Sequence, residues 1–313
     1  MLQAEHHFEL AEAAIEYAQF VGAFLAAGAI GFRYAAVRDR WRHPTAGDAE
    51  RMVYGSALQR AAILGLVGAI IGAWKLFGGL PAQAARRHLT ATALVTSDLT
   101  TALQVGLAIL ALLGFLLAAM RRPAGWPLAA IGIVLAPFAP LVTGAWPRIV
   151  NPVHILVGGL WIGTLFMIVA AGIALAFRAE PARERRGAMV ADMVNGFSPL
   201  ALGAAATLVL SGIVTAWRHL GSLPALWTSD YGRALILKLV VVAVVFALGA
   251  FNWRRQRPTL GGDATAIAIR RSSKSELFAA AVVLALTTYL LSLPAPARRQ
   301  APPPPATAPT PPG

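Results

Sequence analysis

Not one cysteine occurs in the 313 residues, which excludes a disulfide framework and any thiolate metal site. Charge is scarce too, at 13% of the chain, and the 14 acidic residues are outnumbered by 27 basic ones. A water-soluble domain of this size carries about a quarter charged residues, so composition argues against an aqueous fold. Methionine is limited to six residues, none in a Met-rich cluster, which leaves few soft sulfur ligands for a metal path. No nucleotide-binding motif is present, and no Ser/His/Asp or paired-carboxylate arrangement stands out inside the apolar segments. ATP-driven work is therefore not indicated, and the chain does not read as an enzyme.

What the sequence has in excess is apolar length. Hydrophobic residues make up 57% of it, and a bilayer core of roughly 30 Å needs about 20 of them per helix. Eight stretches meet that need, near 14–37, 53–77, 97–120, 125–146, 152–178, 195–218, 230–253 and 275–293. The expected fold is an all-α polytopic membrane protein of eight transmembrane helices, with the lipid bilayer as its surroundings. The formal charge of +13 does not mark a nucleic-acid surface, because the basic residues cluster in alternate loops. The loops after the first, third, fifth and seventh segments, with their flanks, carry 18 Lys and Arg. The opposite side carries eight, and Lys238 lies within the seventh segment. By the positive-inside rule the basic loops are on the inner side, so both termini are expected outside.

The two ends fit that orientation. Residues 1–13 hold Glu5, Glu9 and Glu12 with His6 and His7 and no Lys or Arg, so the basic start of a signal peptide is missing. The first segment reads as a retained anchor with an acidic leader outside. From Pro294 the sequence is a Pro-rich stretch, 294–313, of the composition that remains disordered.

One echo organises what lies between. "TSDLTTALQVGL" (96–107) and "TSDYGRALILKL" (228–239) align with a constant offset of 132 residues. Asp98 thus corresponds to Asp230, while Arg233 and Lys238 occur in the second copy alone. Each triplet stands where an outer loop becomes a helix, and Asp, Ser or Thr there can accept hydrogen bonds from free backbone N–H groups. Both head the third helix of a four-helix set, and "FVGAFLAAG" (20–28) weakly matches "LVGGLWIGT" (156–164). The expected organisation is a parallel 4+4 repeat about the membrane normal, with halves 14–146 and 152–293.

The second half carries a fuller pattern. It has a His and W-x-G in "NPVHILVGGLWIGTLF" (151–166), F-S-x-L-A at 197–201, S-G-x-x-x-A-W at 211–217, Y-G-R-x-L-x-L-K-L at 231–239, N-x-R-R at 252–255, and a last helix after a basic loop. In that order these resemble the CopD family of bacterial copper-resistance membrane proteins, over about the last 145 residues. The resemblance implies an inner-membrane protein that handles copper, moving or accepting it from the periplasm toward the cytoplasm. Periodicity and composition show no copper.

Five of the six histidines, His6, His7, His88, His154 and His219, fall on the outer side; His43 alone is in a basic loop. Imidazole suits copper and other transition metals, so these five are the candidate metal ligands. His154, in the first turn of the fifth segment, and His219, ending the sixth, are expected at one level where they could share a ligand. Trp161, seven residues after His154, would wall the site on the same helical face. Met167 lies deeper, while Met189 and Met193 flank Asp192 near the inner end of the sixth segment, where interfacial packing is the simplest reading. Lys238, eight residues past Asp230, is costly in lipid unless it snorkels, pairs or faces the bundle; a cation repels copper, so it is read not as a ligand but as a group that could pair with a carboxylate, hold an anion or modulate metal release. Arg233 is expected to pair with Asp230 or with lipid phosphate. Pro137 and Pro140 should distort the fourth segment, and Trp74, Trp146, Trp217 and Trp227 fit an outer aromatic belt.

Two other functions stay open at this point. A membrane b-type haem or quinone-linked protein would need imidazoles at matching depth on two helices. A docking partner for a periplasmic copper chaperone would use the outer residues without transport. The orientation itself is testable: a reporter active only in the periplasm should be active when fused after Gly313 and silent when fused at Gly187. The reverse pattern would place the five histidines in the cytoplasm.

Overall fold

A computed structural model describes residues 10–40, 46–145, 148–256 and 262–292. His6, His7, His43, Trp146 and the 294–313 tail lie outside the described residues. Among those described, every regular element is helical.

α1 (Leu10–Gly31) runs on as a π-helical stretch, Phe32–Val37. α2 (Asp48–Arg86) is followed by the short α3 (Ala91–Ser97), then α4 (Leu99–Ala119) and α5 (Gly125–Leu135). α5 tightens into a 3-10 stretch, Ala136–Thr143, where Pro137 and Pro140 fall. A prolyl ring cannot donate the α-helical hydrogen bond, and the sequence anticipated distortion there. The next rod is α6 (Val150–Gly158), α7 (Thr164–Met167) and α8 (Ala174–Ala176), joined by π-helical stretches Gly159–Gly163 and Ile168–Ile173. α9 (Arg186–Leu220), α10 (Ala225–Thr228), α11 (Asp230–Gln256) and α12 (Asp263–Ser292) complete the order.

Six of these rods are long and apolar enough to cross a membrane: Ala14–Val37, Asp48–Arg86, Leu99–Ala119, Gly125–Thr143, Val150–Ala176 and Glu180–Leu220. Leu277–Leu290 is a shorter apolar helix. All eight expected segments fall on helices, but among the described residues six of them coincide with such spans, and several boundaries move. α2 has 39 residues, about 58 Å at 1.5 Å per residue, nearly twice the apolar thickness that length and hydropathy alone had marked out. Its start is fixed by Glu50, which accepts from the Gly47 N–H at 3.2 Å, the acidic half of a capping box. α12 likewise begins at Asp263 and absorbs the basic stretch around Arg270 and Arg271.

The two TSD triplets are used one residue apart. Asp98 caps α4, accepting from the Thr101 N–H at 2.9 Å. In the second copy Ser229 takes that part, accepting from the Gly232 N–H at 2.9 Å, while Asp230 pairs with Arg233 at 2.7 Å. Both triplets nonetheless follow a short helix and precede a long one.

Packing centres on the crossing of α1 with the Val150–Ala176 rod. Gly28 and Gly163 meet backbone to backbone: a Cβ on Gly163 would lie 2.0 Å from the Phe24 carbonyl oxygen, and one on Gly28 would lie 2.3 Å from the Gly163 carbonyl carbon. Small residues permit this approach between membrane helices, where dispersion replaces the hydrophobic effect. Successive contacts, Ala27 with Gly159 and Gly31 with Thr164, rise together in number, so the two rods run parallel. Phe32, Phe115, Met167, Ile168, Met189 and Met193 fill the surrounding core, almost fully buried. Leu202, Leu210, Ile213 and Phe278 point outward, as lipid-facing positions should.

Polar side chains then sort to the two ends. At one end Arg185 donates to Glu50 at 2.8 Å, Arg40 pairs with Asp192, and Arg121 donates to Gln59 at 2.9 Å. At the other, Lys75 pairs with Glu16 at 2.7 Å, Arg87 with Asp98 at 3.3 Å, and Thr100 meets Thr143 at 2.9 Å. The first group comes from the basic loops and their flanks, hereafter the basic end. Gly163→Val should lower the thermal midpoint of the detergent-purified protein sharply, since overpacking a rigid backbone contact costs about 1–3 kcal/mol or more. Gly203→Ala, with no atom within 4 Å of an added Cβ, should leave it nearly unchanged.

Candidate metal centre

His154 stands on α6 at the far end of the bundle, half-buried against α9. Its Nδ1 lies 2.8 Å from Ser211 Oγ, and its Cε1 is the atom that a Cβ on Gly212 would meet, at 3.6 Å. The Ser211 hydroxyl has one proton, and Ser211 donates it to the Thr207 carbonyl at 2.6 Å. With that proton on the Thr207 carbonyl, the hydroxyl oxygen accepts from His154 Nδ1 and Nε2 carries the lone pair, the arrangement in which a neighbour orients a metal-binding imidazole.

Lys238, from α11, brings a positive charge to this ring. It is half-buried and belongs to the bundle side of its helix, in keeping with the cost of leaving an ammonium in lipid. Further along the same pair of rods, Trp161 stacks on Phe246 of α11, ring centroids 5.0 Å apart and planes at 29°. Trp161 thus seals the space between the Val150–Ala176 rod and α11, beneath His154 in sequence order. α6, α9 and α11 converge on one small polar locus: an imidazole with a free nitrogen, a hydroxyl relay and an ammonium.

His219 is held elsewhere. Its Nδ1 donates to the Thr215 carbonyl at 2.8 Å, and its ring stacks on Tyr231 at 5.7 Å with planes 8° apart. A carbonyl can only accept, so Nδ1 is the donor here. Ser211 and His219 are eight residues apart on α9, about 12 Å along the axis. The two imidazoles therefore engage different turns, and the structure does not bring them to a shared position. The expectation of one level treated α6 and α9 as ending together, whereas α9 runs about two turns past the point where His154 meets it.

His88 is exposed and adopts φ 56°, where it ends α2; the His88 and Leu89 N–H groups close the last turn on Ala85 and Ala84. Its place is a helix terminus in the left-handed region that His tolerates. Asp230 and Arg233 form an exposed i,i+3 pair, of the kind worth about 0–1 kcal/mol. Met167 is fully buried in the core, and so are Met189 and Met193, on either side of Asp192. Gly172 makes room for the Met193 sulfur. Trp74, Trp217 and Trp227 are exposed, as belt residues would be. Among the described residues no group of three or more His, Asp or Glu is placed to hold a metal ion.

Sequence reasoning missed Ser211, Phe246 and Tyr231 as partners. Ser211 and Tyr231 stood inside the quoted S-G-x-x-x-A-W and Y-G-R patterns, but nothing in a one-dimensional pattern says which imidazole each would meet.

Comparison with known proteins bears on the same region. The chain is 28% identical over 146 residues to the copper transport protein CutJ of Bacillus subtilis (strain 168), a match covering 46% of this chain and 24% of that protein. No solved structure matches it. Residues 191–290, which supply Ser211, His219, Lys238 and Phe246, match the family of copper resistance protein D, CopD, so the resemblance first carried by the motifs of the second half is shown over that stretch.

Proposed function

We propose that the protein is a copper-handling protein of the bacterial inner membrane that accepts copper at its periplasmic end and passes it toward the cytoplasm. The observation that carries this reading is His154, whose Nδ1 lies against Ser211 Oγ so that Nε2 is the nitrogen left for a ligand, within a chain whose CopD-like stretch forms the other walls. The basic end is taken as cytoplasmic, because 18 of the Lys and Arg residues belong to it; His154 and His219 then face the periplasm, and both termini lie outside. The remaining rods, α11 and α12, complete eight spans. The similar order of a long rod, a short helix and a TSD-headed helix in each half supports a parallel 4+4 repeat.

Copper is cargo in this scheme. His154 provides one imidazole, and His219 Nε2 gives a second, separate foothold about two turns nearer the surface. The His6/His7 segment remains a candidate donor at the mouth. Lys238 beside His154 raises the electrostatic cost of a bound cation, so residence there is short, as suits a transfer point. Docking of a periplasmic copper chaperone at this end is compatible with the acidic leader.

Metal analysis of the purified chain with and without added copper, beside an optical spectrum, tests the reading. Copper in the protein and no Soret band is the expected result; a Soret band would assign the imidazoles to haem. His154→Ala should abolish copper binding at the outer site and copper-dependent growth effects while the protein stays folded. Ser211→Ala, which frees the ring, should weaken binding by about 10–100-fold. Lowering the pH should weaken it as well, since protons and metal compete for the same lone pair. Unchanged copper stoichiometry and transport in His154→Ala would remove this site.

A further inference from the structure

Where α2 meets the end of α4, the chain carries cations without counter-ions. Between Glu50 and Glu180 the sequence holds a single acidic residue, Asp98, and it lies at the opposite end, paired with Arg87. Arg60 on α2, and Arg121 and Arg122 after α4, thus have no carboxylate on the helices that carry them. The side chains of Arg60 and Arg122 make no hydrogen bond or ion pair among the described residues. Arg121 is held, but by a neutral group: its Nε and a terminal nitrogen donate to Gln59 Oε1 at 3.0 and 2.9 Å, while the Gln59 amide nitrogen donates to the Ala119 carbonyl at 3.0 Å. An amide from α2 therefore clamps one edge of the Arg121 guanidinium to the end of α4, and the other three of its five N–H groups stay available. Arg121 also adopts φ 61°, a left-handed conformation that helix ends usually give to glycine and that strains a residue with a side chain. Both arginines are exposed, and their N–H groups close the last turn of α4 on the Ala118 and Leu117 carbonyls at 2.9 and 2.8 Å. Arg60 is half-buried, and helical spacing puts it on the exposed stripe of Ile63, Val67 and Ile70. Leu113, Leu116 and Met120 form an exposed stripe on α4 that runs up to Arg121.

We propose that Arg60, Arg121 and Arg122 form a binding surface for the phosphate of an anionic glycerophospholipid in the leaflet at the basic end, with Gln59 as the residue that positions Arg121. α4 has 21 residues, about 31 Å of helix, which matches a bilayer core of roughly 30 Å. Its end, and Gln59 bonded to it, therefore stand at the headgroup boundary. A guanidinium with a free edge meets phosphate through paired N–H···O bonds, and basic groups between transmembrane helices are suited to lipid headgroups. The apolar stripes of α2 and α4 continue from the cations into the core, so the acyl chains of the same molecule lie along them. That continuity selects a lipid over free phosphate. The surface is separate from the His154 locus at the other end and does not depend on copper handling.

The test uses the full chain, stripped of lipid in neutral detergent and titrated separately with phosphatidylglycerol and phosphatidylcholine, with bound lipid counted by native mass spectrometry. Phosphatidylglycerol is expected to bind at least about fivefold more tightly, the scale of one surface cation, and an excess of inorganic phosphate should not displace it. Arg60→Gln and Arg121→Gln should each weaken its binding by about fivefold. Gln59→Leu, which keeps every charge but releases the clamped edge of Arg121, should weaken it as well. Arg148→Gln removes the same charge from an exposed position at the opposite end and should leave binding unchanged. Arg60→Gln loses no side-chain hydrogen bond or ion pair among the described residues, so its thermal midpoint without lipid should equal that of the parent chain. Equal binding of the two lipids, displacement by inorganic phosphate, or losses in Arg60→Gln and Arg121→Gln no greater than in Arg148→Gln overturn the surface. Binding unaltered by Gln59→Leu overturns the positioning role of Gln59.

Discussion

The backbone contact between Gly28 and Gly163 is the constraint on which the rest of this bundle depends. In lipid no hydrophobic effect draws one apolar helix to another, so association rests on close packing and polar contacts. A side chain at either glycine would collide with main-chain atoms that cannot move aside. Their absence lets α1 lie parallel to the Val150–Ala176 rod, and that apposition sets the place of almost everything else. α2 and α9 flank the pair, and the main core of Phe32, Phe115, Met167 and Ile168 fills the angles between them.

The π-helical stretches belong to the same region. Gly159–Gly163 spans the crossing point and carries Trp161, and Phe32–Val37 continues α1 just beyond it. A π turn widens the helix and rotates the residues after it relative to a regular α-helix. Here that rotation presents Trp161 to Phe246 of α11 while His154, in the regular turns before it, faces Ser211 of α9. Two aromatic and polar contacts with two different helices thus come from one rod.

Paired charges gather at the ends, and the described middle is apolar. Between the His154 locus and the ion pairs of the basic end the described core is built from alanine, methionine, aliphatic and aromatic residues, with Thr164 buried and bonding weakly to the Gly28 carbonyl at 3.5 Å. Buried ionic groups are costly unless paired, and at the basic end they are paired across the seam between the halves. These pairs join α2 to the turn before α9, and the chain beyond α1 to α9 itself. They fix the relative position of the halves where the glycine contact alone would allow the rods to pivot.

Much of this was legible in the sequence because lipid imposes its demands residue by residue. Apolar length marked the rods, alternate basic loops marked the two ends, Pro137 and Pro140 marked the 3-10 stretch, and the motifs from residue 151 onward marked the family resemblance. His154 also stood out, through its pattern and its position. What depended on the third dimension was every pairing between rods: His154 with Ser211 instead of a second imidazole, Ser229 instead of Asp230 as the cap of α11, Met189 and Met193 in the core, and Arg185 on Glu50. Hydropathy and positive-inside charge are sums along the chain and survive in one dimension. A hydrogen bond or an orphaned hydroxyl depends on the crossing angle and axial offset of two helices, which are set by packing at glycines that a sequence shows only as small residues.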